Sequence, residues 1–329
     1  MVFEKFLEAK QKQNLRASTL NEHVGLFKSI TKFHESRSDR TLYLSDITTQ
    51  FIADYVYWMK NEAVRYEGHK YFPEHAQTVG LSDATIEGRL KYLKTFVNWC
   101  LKEEMLKDNP FNKFEGFRKD EVEIEILTRE ELNNLLKVVK GHSNKSFKNF
   151  RDYVLLHLLV DSMLRITECL LISPHDIDHT NRTIIIRSTN AKSRKARIVP
   201  LSNKTYRLLL QLQEENALFE GEVDDLLFLS LSGRMLNNNN VLRDFKKYAL
   251  EAGITKRFYI HLLRHSAATH YLSSSGDVES LRLILGHSDL RIVLNYVHMA
   301  DNTVIEKHAN AGFFGSDNLI SRKRDNKRN

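Results

Sequence analysis

A short stretch near the C-terminal end, residues 260–298, carries four side chains that suit phosphoryl transfer: His261, Arg264, His287 and Tyr296. An arginine guanidinium binds phosphate oxygens through a planar pair of donors. A histidine gives or takes a proton near neutral pH, and a tyrosine hydroxyl can serve as a covalent nucleophile once a phosphate lies in line with it. Together, these residue types indicate chemistry on a phosphate ester.

The elements that position these four side chains are predicted to be helices. His261 and Arg264 lie three residues apart in a run with helical apolar spacing, so we expect both side chains on one helix face. Residues 281–287 read LRLILGH, which predicts a short helix that ends at Gly286 in a left-handed cap. His287 would then follow that turn directly, and Tyr296 lies nine residues later in a second helical run.

The order and spacing of HxxR, LGH and Tyr resemble the tyrosine recombinase, or phage integrase, family. The resemblance implies an arginine and a lysine upstream. Residues 158–172, LLVDSMLRITECLLI, are similar to the family pattern LLYxTGLRISELLxL and place Arg165 at its first catalytic arginine, with Glu168 as its helix partner. The chain departs from the pattern at Met163, where the family usually has glycine, and at Ser162, where it has threonine.

A basic hairpin supplies the remaining candidate. Residues 183–187 and a run ending in Ile198-Val199-Pro200 predict two strands around a polar turn. The turn resembles the GKGxKxRxVPL hairpin of the family, and the resemblance places Lys192 at the catalytic lysine. Lys195, three residues further on, is a second lysine in the same turn. Two structural explanations stay open here: an Arg165 that is merely salt-bridged to Glu168, and a solvated basic turn formed by Lys192, Arg194, Lys195 and Arg197.

The resemblance implies strand exchange that needs no metal and no cofactor. The six candidates would act on one scissile phosphate. The implied roles are a phosphate clamp (Arg165 and Arg264), a donor to a non-bridging oxygen (His287), the nucleophile (Tyr296), the acid for the leaving oxygen (Lys192) and a group that handles the tyrosine proton (His261). A 3′-phosphotyrosyl link and a Holliday junction would be the intermediates in integration, excision or inversion of a DNA element.

The chain as a whole is predicted to be mainly α-helical, with a small β-sheet or hairpin. Residues 1–112 predict a four-helix bundle, which resembles the SAM-like core-binding domain of the family. Residues 113–125 are predicted to be a linker, 126–315 the catalytic domain and 316–329 a basic, disordered tail. Helix starts are expected at Ser18 or Thr19, at Ser82, and at a capping box of Thr128 and Glu131; further helices are expected over residues 203–214 and 237–252.

Composition limits the class of protein. A hydrophobic fraction of 42% excludes a disordered chain. The net charge of +7 is only weak support for a polyanionic partner. The last nine residues hold five basic and one acidic side chain, so they account for +4 of this charge. Cys100 and Cys169 form no disulfide framework or metal-ligand pattern, which indicates a reducing interior. Without a signal-peptide core or a membrane-length apolar run, the sequence predicts a cytoplasmic protein.

The resemblance also implies partners. Residues 301–315, which include Phe313 and Phe314, are expected to form an amphipathic helix that docks onto a neighbouring protomer. A homotetramer on double-stranded DNA recombination sites is therefore expected, with no membrane partner. Because the sequence begins at the bundle, we expect short inverted-repeat sites and no separate domain for distant arm sites.

Three alternatives compete with this interpretation. An idle DNA-binding accessory protein would be expected to lack Tyr296 or Arg165, and both are present. A type IB topoisomerase-like enzyme would share the chemistry but relax DNA as a monomer, and the segment beyond Tyr296 argues against it. A phosphomonoesterase built on histidine and arginine leaves the lysine hairpin and Tyr296 unexplained.

Overall fold

The computed structural model describes residues 2–67, 73, 75, 77–116, 125–191, 195–274 and 277–286. The chain divides into two compact units between residues 123 and 124. Both units are mainly helical, as predicted, and only the second contains a β-sheet within the described ranges. Among these residues, no helix has the length and apolar character that crossing a membrane requires.

The first unit contains four described α-helices: α1 (Val2–Lys12), α2 (Ala17–Glu35), α3 (Thr49–Asn61) and α4 (Asp83–Lys102). Their apolar faces pack around fully buried Phe6, Tyr55 and Leu93. Ser82 caps α4 as predicted, because its side chain accepts a hydrogen bond from the Thr85 backbone. The predicted start of α2 was wrong: Arg16 is the N-cap, without a side-chain cap, so Ser18 and Thr19 lie in the first turn.

The second unit contains seven α-helices and three strands in its described ranges. In chain order these are α5 (Arg129–Ser143), α6 (Phe147–Ser162), α7 (Ile166–Leu170), β1 (Ile177–Asp178), β2 (Thr183–Ile186), β3 (Arg197–Pro200), α8 (Asn203–Asn216), α9 (Asn238–Glu251), α10 (Ile260–Ser273) and α11 (Val278–Leu285). The strands form an antiparallel sheet in the order β1-β2-β3. Both strands of the predicted hairpin are confirmed, with Ile184 opposite Val199.

The centre of the second unit is α6. Leu155, Leu156 and Leu158 are fully buried, and the helix packs against α5, α8 and α10. A helix that is apolar on most sides is expected to lie inside its domain. As a result, its C-terminal end, from which the chain runs to Arg165, is held within the core.

The beginning of α5 is fixed against α10. The predicted capping box is confirmed: the Thr128 hydroxyl accepts from the Glu131 backbone, and the Glu131 carboxylate accepts from the Thr128 backbone at 2.7 Å. The Leu127 backbone donates to the Ser266 hydroxyl at 2.8 Å, and a ring nitrogen of His270 lies 2.8 Å from the Leu127 carbonyl. These contacts fix the helix that carries His261 and Arg264.

Candidate active site

The turn between α6 and α7 presents Arg165. The backbone at Met163, the residue after α6, is left-handed, with φ of +52°. The chain is extended at Arg165, which is the N-cap of α7. Its backbone donates to the Glu168 carboxylate at 3.0 Å. The Arg165 side chain therefore projects from a turn and remains 18% exposed.

The backbone conformation at Met163 favours glycine, because a Cβ is strained at this φ. The Met163 side chain is nonetheless buried, in an apolar cluster with residues of α10 and α11: Ala267, Ala268, Leu272, Leu281 and Leu285. Methionine is flexible enough to fill an irregular gap of this kind. Methionine in place of the glycine of the family pattern thus strains the backbone of this turn, and its side chain adds apolar packing beneath the site.

We expect Met163→Gly to destabilise the catalytic unit. Relief of backbone strain would stabilise it by about 1 kcal/mol, but loss of a buried methionine side chain costs about 2–5 kcal/mol. The net loss in the free energy of unfolding, about 2 kcal/mol by these two principles, is measurable by urea denaturation. Arg182→Gly is the control, because Arg182 is exposed and also has a positive φ; it should be neutral or stabilising. An equal loss in both variants would contradict the packing argument.

The Glu168 carboxylate, which is buried, is shared by two arginines. It accepts from Arg165 Nη1 at 3.2 Å, and from Arg197 Nη1 and Nη2 at 3.1 and 2.6 Å. Burial alone would raise the pKa of Glu168, but the hydrogen bonds and charges of the two arginines outweigh burial and hold the pKa below its ordinary value. The predicted salt bridge of Arg165 is therefore present, but it belongs to a larger network.

Arg197 is a residue whose part in the site the sequence analysis did not recognise. The alternative of a solvated turn is wrong for this side chain, which is only 9% exposed. The strand register held a usable signal: Arg197 lies opposite buried Ile186 and two residues before buried Val199, so it shares the inner face of the sheet. Its Nε also donates to the Ile284 carbonyl at 3.0 Å.

Arg264 joins three elements. It lies on α10 as predicted and is 3% exposed. Its Nη1 donates to the Met163 carbonyl at 2.6 Å, and its Nη2 donates to the Leu285 carbonyl at 2.9 Å. Because Met163 precedes Arg165 by two residues, the contacts of Arg264 bring it to the turn that presents Arg165.

His261 also lies on α10, but its surroundings differ from those of Arg264. Its side chain is exposed, whereas that of Arg264 is buried. The ring of His265 lies edge-on, with the two ring centroids 6.1 Å apart. Burial and the charge of Arg264 lower the pKa of His265. The predicted helix is thus confirmed, with Arg264 buried and His261 exposed.

The predicted left-handed cap at Gly286 is confirmed, with φ of +66° at the end of α11. A Cβ at this position would lie 2.9 Å from Cδ and Nε of Arg197. Glycine is therefore required both by the turn and by the close approach of the arginine. Lys192, His287, Tyr296 and the segment 301–315 lie outside the described residues.

The chain matches two family models. The phage integrase family model matches residues 125–303, and the phage integrase SAM-like domain matches residues 1–117. Tyrosine recombinase XerC of Chlamydia trachomatis is 28% identical over 296 residues, which is 88% of this chain and 90% of the relative.

Solved structures show the same fold. The Tn1549 transposon integrase in complex with transposon right end DNA is 17% identical, with a TM-score of 0.69, and the match covers 94% of this chain and 98% of that one. XerH site-specific recombinase bound to its palindromic difH substrate is 21% identical, with a TM-score of 0.68 and coverages of 93% and 83%.

The two family models match residues 1–117 and 125–303, which together make up most of the chain. The chain therefore belongs to the phage integrase family and is a site-specific recombinase of the tyrosine class.

Proposed function

We propose that Arg165 and Arg264 clamp the scissile phosphate and that Tyr296 attacks it. One observation carries the proposal: the Glu168 carboxylate holds the guanidinium of Arg165, and the Met163 and Leu285 carbonyls hold that of Arg264. Cations fixed before the reaction stabilise developing charge without a cost of reorganisation. Within the described part of the chain, the ion pairs of Arg165 and Arg197 both end on Glu168, so one carboxylate faces two positive charges.

In the proposed reaction, the Tyr296 oxygen forms a bond to phosphorus as the bond to the 5′ oxygen breaks. His261 takes the tyrosine proton, Lys192 protonates the leaving oxygen, and His287 donates to a non-bridging oxygen. The products are a 3′-phosphotyrosyl link and a free 5′-hydroxyl. The roles of His287 and Tyr296 are supported by their positions in the HxxR, LGH and Tyr pattern, and the role of Lys192 by its position in the basic hairpin turn.

Exchange follows by reversal of this step. A 5′-hydroxyl from a partner duplex attacks the phosphotyrosine, which restores the tyrosine and joins the new strand through a Holliday junction. The covalent link conserves the energy of the phosphodiester, so the proposed cycle consumes no ATP and uses no divalent metal. The outcome is integration, excision or inversion of a DNA element.

The proposed assembly is a homotetramer on double-stranded DNA, in which residues 301–315 of one protomer dock onto the next. In this proposal, residues 1–112 grip the DNA, 113–125 link the units, 126–315 carry the chemistry and 316–329 form a basic tail. We place the reaction in the cytoplasm, in keeping with the two free, buried cysteines. Sedimentation of the protein on a two-site DNA tests the tetramer.

Covalent trapping tests the proposed function. Nicked duplexes that tile the DNA flanking the gene are incubated with protein in EDTA and separated on a denaturing gel. Wild-type protein should give a shifted protein–DNA band, and Tyr296→Phe should give none. Tyr271→Phe, a control tyrosine that is partly buried on α10, should retain the band. A band that persists in Tyr296→Phe would contradict the proposal.

The alternatives give different results in the same system. An idle accessory protein would shift the duplexes on a native gel but give no covalent band on any of them. A topoisomerase-like enzyme would relax supercoiled plasmid as a monomer and would not exchange strands between two sites. The proposed recombinase exchanges strands only when two sites are present.

A further inference from the structure

We propose that Arg197 is a positioning residue for strand cleavage. Arg197 contacts the Glu168 carboxylate, which holds Arg165, and it also contacts the last turn of α11. It therefore links the β-sheet to two parts of the site. The inference rests on the proposed function, because it assigns Arg197 to the placement of Arg165.

The Glu168 carboxylate is fully engaged. Oε1 accepts from the side chains of Arg165 and Arg197, and Oε2 accepts from the Arg165 backbone and from Arg197 Nη2. The two parallel bonds from Arg197 fix the plane of the carboxylate, as a guanidinium fork does. Since the other bonds of that carboxylate hold Arg165 by its backbone and side chain, a rotation of Glu168 would displace Arg165.

Arg197 also holds the end of α11, together with Arg264. Arg197 Nε donates to the Ile284 carbonyl, and Arg264 Nη2 donates to the next carbonyl, that of Leu285. The last carbonyls of a helix lack partners within the helix and carry partial negative charge, so two guanidiniums there are stabilising. Two cations thus hold the last turn of α11 up to its cap at Gly286.

Lysine cannot reproduce these contacts. Arg197 donates in two directions from one rigid plane, toward Glu168 through both Nη atoms and toward Ile284 through Nε. A lysine ammonium is a single point of charge on a flexible stem. The position of the Arg197 side chain also depends on glycine at residue 286, because any Cβ there would lie about 3 Å from that side chain.

The test is Arg197→Lys, which keeps the charge and loses the planar fork. Single-turnover cleavage is measured on a nicked duplex that wild-type protein traps, and the DNA dissociation constant is measured separately. We expect cleavage at saturating DNA to fall by about 10- to 100-fold, the loss typical of a misplaced catalytic group. The dissociation constant should change by less than about threefold, because lost positioning affects the chemical step and not DNA binding.

Three further variants sharpen the test. Arg187→Lys, at an exposed arginine that pairs with Asp176 just after β2, is the matched control and should cleave like wild type. If Arg197 acts through Arg165, the double variant Arg165→Lys/Arg197→Lys should be less impaired than the product of the two single losses. Full additivity would contradict action through Arg165. Should Arg197→Lys fail to fold, Glu168→Gln takes its place under the same criteria.

The outcomes separate this inference from the proposed function. Cleavage at the wild-type rate by folded Arg197→Lys would overturn the inference and leave the function intact. A loss that appears only as weaker DNA binding would also overturn it, since Arg197 would then be a DNA contact. Failure of wild-type protein to cleave any duplex, with or without metal, would instead count against the proposed function.

Discussion

Arg165→Lys is expected to slow formation of the covalent protein–DNA complex by about 100- to 1000-fold, the loss seen when one preorganised donor to developing charge is removed. Lysine keeps the positive charge and can still pair with Glu168, whose carboxylate lies 3.2 Å from the Arg165 guanidinium. It lacks the planar pair of donors that fits two phosphate oxygens. DNA binding should therefore change little while the rate at saturating DNA falls.

Quench-flow with a nicked duplex measures this rate, and circular dichroism verifies the fold. Arg187→Lys again serves as the control arginine. An unchanged rate together with an unchanged DNA affinity in Arg165→Lys would show that the salt bridge to Glu168 is the only purpose of this side chain. A loss of DNA affinity with an unchanged rate at saturating DNA would show uniform phosphate binding instead of stabilisation of the transition state.

Arg264→Ala is expected to have the larger effect, because Arg264 contributes to both structure and chemistry. Its loss removes a cation from the reacting phosphate, for which about 1000-fold or more in rate is typical of arginines in phosphoryl transfer. It also removes the donor to the buried Met163 and Leu285 carbonyls. Each unsatisfied carbonyl costs about 1–3 kcal/mol, so the free energy of unfolding should fall by about 3 kcal/mol.

The two effects can be measured apart. Urea denaturation gives the stability, and cleavage is then measured at a temperature where the variant is fully folded. Arg264→Lys should recover part of the stability, because its ammonium can reach one carbonyl, but little of the rate. A folded Arg264→Ala that cleaves like wild type would contradict the proposed clamp.

Local features of the site were predictable from the sequence. The cap at Gly286, the capping box at Thr128 and the two hairpin strands each depend on residues within a few positions. For this reason, motif and periodicity alone correctly predicted α10, α11 and the β2–β3 pair.

The long-range contacts were not predictable in the same way. Arg197 and the Ile284 carbonyl are 87 positions apart, and Arg264 and the Met163 carbonyl are 101 apart, so no local pattern connects them. The left-handed backbone at Met163 also opposes its own residue type and is held by packing against α10 and α11. Tertiary packing overrides local preference at this turn.

The most direct test of the account is to identify the residue that becomes attached to DNA. The trapped complex, formed in EDTA, is digested with nuclease and trypsin and analysed by mass spectrometry. Cleavage after Arg291 and Lys307 releases residues 292–307, in which Tyr296 is the single tyrosine. The account predicts a 3′-phosphonucleotide adduct on Tyr296. An adduct on any other residue, or cleavage of DNA without a covalent adduct, would contradict it.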